Sequence, residues 1–188
     1  AAATYTRVAE PIKAVPFLPD PSRRLRLLNL GEPIRVFSLD LTAHYRFPTL
    51  EVGGSYGFRS GSEGIPGQPG RRDLELTPRH QIGLNGTWHA PVTTGTTVTA
   101  DLVYVGKQSV WDNPFRTETS SYTVMNGLVS QRSGRARLFL SAENLLNVRL
   151  RTFEPVFLDV PVAGGRRTTT PWAPLRGRVL SLGALVDW

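Results

Sequence analysis

Cysteine is absent from this 188-residue chain. That excludes a disulfide framework, a thiolate zinc site and a cysteine nucleophile. Lysine is nearly absent, with only Lys13 and Lys107, so the net charge of +7 rests on arginine. A basic balance can serve nucleic acid, but these arginines are spread along the chain and form no dense basic helix or nucleic-acid motif. Nucleic acid is therefore not an expected partner. No run of about eighteen apolar residues occurs, so no transmembrane helix is expected. Transmembrane β-strands remain open, because they are apolar on one face only. There is no initiating Met, and Ala1–Thr6 has neither the charged start nor the apolar core of a signal peptide. The chain is expected to be processed or part of something longer.

Histidine is scarce as well. His44, His80 and His89 are the only three, and they are not in metal-ligand spacing. Ser141 and Glu143 share a strand face with no histidine nearby in sequence, so no nucleophile–base arrangement is fixed. Gly61–Arg72 contains four glycines and two prolines but lacks the G-K-[ST] ending of a phosphate loop. It reads as a mobile loop. No catalytic residue, metal or cofactor is expected, and enzyme activity such as that of a barrel phospholipase is not the expected function.

What is present is alternation with a period of two, the signature of half-buried strands. Phe37, Leu39, Leu41, Ala43, Tyr45 and Phe47 oppose Ser38, Asp40, Thr42, His44 and Arg46. Leu50, Val52, Gly54, Tyr56 and Phe58 oppose Glu51, Gly53, Ser55, Gly57 and Arg59. His80, Ile82, Leu84, Gly86 and Trp88 oppose Arg79, Gln81, Gly83, Asn85 and Thr87. Val98, Ala100, Leu102 and Tyr104 oppose Thr97, Thr99, Asp101 and Val103. Ala136, Leu138, Leu140 and Ala142 oppose Arg135, Arg137, Phe139, Ser141 and Glu143. The last strand sets Leu180, Leu182, Ala184, Val186 and Trp188 against Val179, Ser181, Gly183, Leu185 and Asp187. Tyr122–Gln131 is apolar in part on both faces, and its facing stays ambiguous. A strand near Leu25–Leu30 is poorly patterned.

Connections alternate in length. Those at Phe47–Thr49, Ala90–Gly95 and Arg132–Gly134 are short. Those near Ser60–Thr77, Gln108–Thr119 and Asn147–Pro174 are long and rich in Gly, Pro and Arg. Outer-membrane β-barrels alternate tight periplasmic turns with long outer loops and carry aromatic girdles at both rims. On that scheme Trp88, Tyr45 and Phe47 belong to one rim, and Tyr56, Phe58 and Tyr104 to the other. Alternation alone also fits a soluble sandwich, whose polar face meets water.

The stretch A-E-N-L-L-N at Ala142–Asn147, followed by a long loop, T-P-W-A-P-L-R-G-R at Thr170–Arg178 and V-L-S-L-G-A-L-V-D-W, resembles the C-terminal end of TonB-dependent outer-membrane receptors. In that family an "EN-aliphatic-x-N/D" motif precedes the last loop, and "P-x-G-R" opens the last strand. Leu39–Tyr56 and Thr77–Leu84 also resemble the family's hairpins, so the resemblance covers about residues 30–188. It implies an all-β, antiparallel transmembrane barrel in the bacterial outer membrane. It also implies energy-coupled uptake of a ferric siderophore, a cobalamin or a glycan. The implied partners are outer-membrane lipid and lipopolysaccharide, a plug domain and further barrel strands from the same or another chain, and TonB through the plug.

The chain departs from the family in having seven or eight strands, no plug and no TonB box near Ala1. The expected division is an N-terminal loop or first strand over 1–30, then barrel strands over 31–188 with a closing strand at 176–188. Leu180, Leu182, Ala184, Val186 and Trp188 are the residues expected to close and assemble the barrel. The ligand candidates are the loop residues Arg71, Arg72, Trp111, Arg116, Arg166, Arg167 and Trp172, because guanidinium groups hold carboxylates and catecholates by charge-assisted hydrogen bonds. Binding of lipopolysaccharide phosphates, or plain solvation, would use the same arginines. A self-contained eight-stranded barrel with a structural or adhesive role is the alternative, and a soluble β-sandwich binding module is a third reading.

Overall fold

A computed structural model describes residues 1–16, 25–90, 95–111, 113–159 and 168–186. They form an all-β fold with one helical turn, α1 (Leu150–Phe153). The strands are β1 (Ala2–Val8), β2 (Ile12–Pro16), β3 (Leu25–Asn29), β4 (Ile34–Arg46), β5 (Leu50–Gly64) and β6 (Arg71–Asp73). They continue with β7 (His80–His89), β8 (Thr96–Val105), β9 (Tyr122–Ser133), β10 (Ala136–Glu143) and β11 (Val179–Val186). Nine of them build one antiparallel sheet in the order β1-β4-β5-β7-β8-β9-β10-β11, with β6 paired to the end of β5. Among the described residues the sheet is open: β1 and β11 are its two edges and do not pair with each other.

Register turns the alternation of each strand into two-dimensional order. Tyr45, Val52, Gly86, Ala100, Gly127, Ala142 and Leu180 follow one another across seven strands on one face. The adjacent row on that face is Leu50, Trp88, Val98, Val129, Leu140 and Leu182. On the opposite face His44, Gly53, Asn85, Asp101 and Asn126 line up in the same way. Because side chains alternate between faces, a slip of one residue would exchange the two rows. Pairing also resolves the facing of β9. Met125 and Val129 join the apolar rows, while Tyr122, Val124, Asn126 and Leu128 lie on the other face.

The apolar face has no cover among the described residues. Tyr45 is 61 % exposed and Leu182 81 %, and Leu84, Leu138, Leu140 and Leu180 are exposed too. The buried apolar cluster lies off the sheet, in the connections: Leu150, Trp172 and Ala173, with Leu76, Tyr122, Phe153 and Val156 packed against it.

Connections sort by end. The tight ones, β4–β5, β7–β8 and β9–β10, lie at the end that also holds the start of β10 and the end of β11. The β9–β10 turn has two central residues, Gly134 and Arg135, and Gly134 takes φ +57°. A positive φ at the first central position is what a type II′ hairpin turn requires. The β1–β4, β5–β7, β8–β9 and β10–β11 connections all lie at the other end.

Several expectations gain detail or change. Gly61–Arg72 is not a mobile loop: β5 runs on to Gly64, β6 pairs back on it, and the Ile65 amide donates to the Gly70 carbonyl at 3.2 Å. Gly67 and Gly70 supply the positive φ angles that reverse the chain there. Of the two readings of the N-terminal segment, loop or first strand, residues 2–8 take the second: β1 pairs with β4 from Ala2↔Asp40 to Val8↔Ile34. The strand near Leu25–Leu30 exists as β3, but it pairs only with β2, in a separate two-stranded sheet. The closing strand starts at Val179 and not at 176; it is described as far as Val186, and Asp187 and Trp188 lie outside the described residues.

Candidate functional site: the layer of long connections

At the end of the sheet where the long connections gather, polar side chains tie them into a layer. Three knots hold it. In the first, Glu63 at the end of β5 is buried and accepts from Lys13 Nζ at 2.6 Å and from Arg72 Nε at 2.9 Å. Lys13 lies on β2 and Arg72 on β6, so one carboxylate joins three elements. The Arg72 guanidinium lies 5.4 Å from the Trp111 ring centroid, and Trp111 Nε1 donates to the Asp73 carbonyl at 3.0 Å.

The second knot is Arg71. Its Nη2 donates to the Pro33 carbonyl and to Ser62, and its Nη1 pairs with Glu32 at 3.1 Å.

The third knot is the most buried. Glu154, just after α1, is 4 % exposed. One of its oxygens accepts from Asn113 Nδ2 at 2.7 Å and from Trp172 Nε1 at 3.1 Å. The other lies 2.8 Å from Arg116 Nε as an ion pair. Arg116 also donates to the Phe153 carbonyl and to Ser120, and its guanidinium lies over the Trp172 ring at 5.3 Å. A buried carboxylate persists only with this degree of pairing.

Next to these knots the A-E-N-L-L-N segment joins the start of the last loop to the start of β11. Asn144 and Asn147 both adopt positive φ, at 49° and 57°, a conformation that asparagine tolerates better than most residues. Asn144 Nδ2 donates to the Val148 and Arg176 carbonyls, and its Oδ1 accepts from the Val148 amide. Asn147 Oδ1 accepts from Arg149 and from the Arg178 amide, while Arg178 donates to the Leu145 carbonyl at 2.7 Å. The Arg149 guanidinium occupies the space where a Cβ at position 177 would sit, so a larger residue there would have to displace that side chain.

Of the ligand candidates, Arg71, Arg72, Trp111, Arg116 and Trp172 therefore hold the layer together, and Trp172 is buried. They fall into three separate knots, not one cluster. Arg166 and Arg167 lie outside the described residues. Glu63, Glu154, Asn113 and Asn126 were not singled out from the sequence. No local pattern marks the contacts that tie the layer, because those reach 9 to 50 residues along the chain. His80 packs against Phe58 and exchanges a 2.8 Å hydrogen bond with the Tyr56 hydroxyl.

A cavity of about 370 Å³ opens in this layer between the β5–β7 and β8–β9 connections. Arg59, Arg79, Lys107, Asp73 and Glu118 are among the residues lining it. The described residues contain no group of three or more His, Asp or Glu able to hold a metal ion. No family model matches the chain, and no curated protein matches it.

Proposed function

We propose that this chain is a wall segment of a large outer-membrane β-barrel, of the kind that takes up a scarce nutrient with energy supplied through TonB. The observation that carries the reading is the apolar face, continuous in register across the sheet and uncovered among the described residues, whose buried cluster forms elsewhere. Soluble proteins rarely leave contiguous apolar patches of more than a few hundred Å² in water. Lipid is the solvent that such a face fits, and the polar rows opposite would line an aqueous lumen. The long connections gathered at one end would form the outer surface.

Two further features support the barrel. Tyr45 and Trp88 stand near the tight turns, while Tyr56 and Tyr104 share a row nearer the long connections, which is the spacing of two interfacial girdles. Among the described residues the sheet is also open at β1 and β11. In lipid an unpaired edge costs several kcal/mol per exposed backbone group. Both edges would therefore pair with further strands, from this protein or from a partner, around a lumen wide enough for a plug. The interlock of Ala142–Asn147 with Arg176–Arg178 supports the resemblance to TonB-dependent receptors, because it gives the two motifs one joint purpose: setting the start of the last strand. On this reading the cargo is a ferric siderophore, a cobalamin or a glycan.

The test is fractionation of native membranes with an antibody against residues 147–178. The expected result is an outer-membrane species that is heavier than 20.7 kDa or that co-purifies with a plug-bearing chain, and that retains TonB in a pull-down. Recovery in a soluble fraction overturns the wall. Recovery in the outer membrane with no TonB retained overturns energy coupling and leaves the wall standing.

A further inference from the structure

The antiparallel register of β5, β7 and β8 continues past the strands as named. The Arg59 amide donates to the Arg79 carbonyl at 3.0 Å, and the Gly106 amide donates to the His80 carbonyl at 2.8 Å. Gln81 faces Val105, so the same count sets Lys107 beside Arg79. Arg59, Arg79 and Lys107 thus stand in one cross-strand row, and all three line the 370 Å³ cavity. Like charges directly opposite one another across strands are destabilising, so a row of three needs compensation.

Three carboxylates from three other elements provide it. Asp40 on β4 lies 3.5 Å from Arg59, Asp73 on β6 lies 2.9 Å from Arg79, and Glu118 in the β8–β9 connection lies 3.5 Å from Lys107. These pairs differ in kind from the knots around Glu63 and Glu154. In the knots the carboxylate side chain is at most 6 % exposed, whereas in the row every partner is at least 36 % exposed. Exposed pairs are held by about 1 kcal/mol or less. They can be exchanged for an incoming anion at little cost, whereas the knots cannot.

We infer that this rim cavity binds a small ligand bearing carboxylate or phosphate groups, with Arg59, Arg79 and Lys107 as its ladder of donors. Asp73 and Glu118 occupy the ladder until the ligand arrives. Guanidinium groups suit the task because they meet carboxylate and phosphate oxygens with paired donors. The cavity's size suits a ligand of a few functional groups. Ser109, Ser121 and Thr77 on the same wall can serve its hydroxyls. The inference does not rest on the wall reading, since it needs only the cavity.

Calorimetric titration of the purified full-length protein tests it, with citrate and inorganic phosphate as probes and glucose as the uncharged comparison. Saturable binding of either anion is expected, weakened about tenfold or more by Arg79→Gln and by Arg59→Gln, the loss typical of a charge-assisted hydrogen bond. Asp73→Asn and Glu118→Gln are expected to tighten it a few-fold by freeing the row. Arg46→Gln removes the same charge at the far end of β4, where Arg46 pairs with Glu51 at 2.9 Å, and is expected to leave affinity within about twofold, because screened exposed charges act only locally. Absence of saturable anion binding overturns the inference. So does binding that Arg46→Gln weakens as much as Arg79→Gln does, since that is net charge and not a site.

Discussion

The sheet and the layer of connections solve opposite problems. The sheet pairs its strands in a regular antiparallel register and, among the described residues, leaves its apolar face bare. The layer has little regular structure, yet it contains the buried apolar cluster and the most buried ionic groups of the described chain. In the sheet, each residue's place follows from its neighbours two positions away and from a short turn. In the layer, it follows from partners far along the chain, such as Asn113 and Glu154 or Lys13 and Glu63. The lesson is that a repeating backbone pattern can order a sheet with no core packed on its apolar face, whereas irregular connections stay ordered by closing a small core of their own.

The largest test of that contrast is Trp172→Ala. It removes the centre of the loop cluster and is expected to cost about 3–5 kcal/mol, as large-to-small changes in packed sites do. Hydrogen exchange should speed up around residues 113–122 and 144–158 while protection in β7–β9 stays unchanged. Equal loss in both would mean that sheet and layer are one cooperative unit.

Leu84→Arg is the mirror experiment, placed in the middle of the apolar face. An exposed leucine on a water-facing sheet should tolerate it within about 0.5 kcal/mol. On a lipid-facing wall the same change is expected to cost about 2–4 kcal/mol and to lower outer-membrane levels. Wild-type levels together with wild-type thermal stability would argue for water on that face. Leu182→Asp on β11 is expected to act in the same direction, through failed assembly.

Asn144→Ala probes the joint between wall and layer. It removes two donors and an acceptor at a buried position with positive φ. The expected cost is about 1–3 kcal/mol, read as a lower midpoint in denaturant, with protease cleavage between residues 147 and 159 rising before the sheet opens. The smallest effect belongs to Thr99→Val. It breaks the 3.1 Å hydroxyl pair with Thr87, and a loss of about 0.2–1 kcal/mol is expected from one cross-strand pair.

Much of the sheet was legible in the sequence. The strands at 37–47, 50–59, 79–88, 97–104 and 135–143 appear where alternation placed them, with the same residues on each face. Long and short connections alternate as read. β1 was not legible as a wall strand, because Arg7 interrupts its apolar side and its partner lies across a 25-residue connection. The continuation of β5 to Gly64 was hidden by the glycines and prolines that follow it, which read as loop yet form a hairpin with β6. The loop residues chosen as ligand candidates were chosen by residue type, and type does not say whether a guanidinium points at solvent or at a carboxylate. Arg116 and Trp172 carry the chemistry of a binding site and are used in packing.

The sequence by itself determined which residues share a face in most strands and which strands pair across the three short turns. Side-chain direction alternates residue by residue, and a short hairpin leaves no other pairing within reach. Only the tertiary structure decided that β1 extends the sheet beyond β4, that Glu63 and Glu154 become the centres of the connecting layer, and that Arg59, Arg79 and Lys107 fall into one row. Those outcomes depend on where distant segments meet in space, and neither the period nor the composition of any local stretch encodes that meeting.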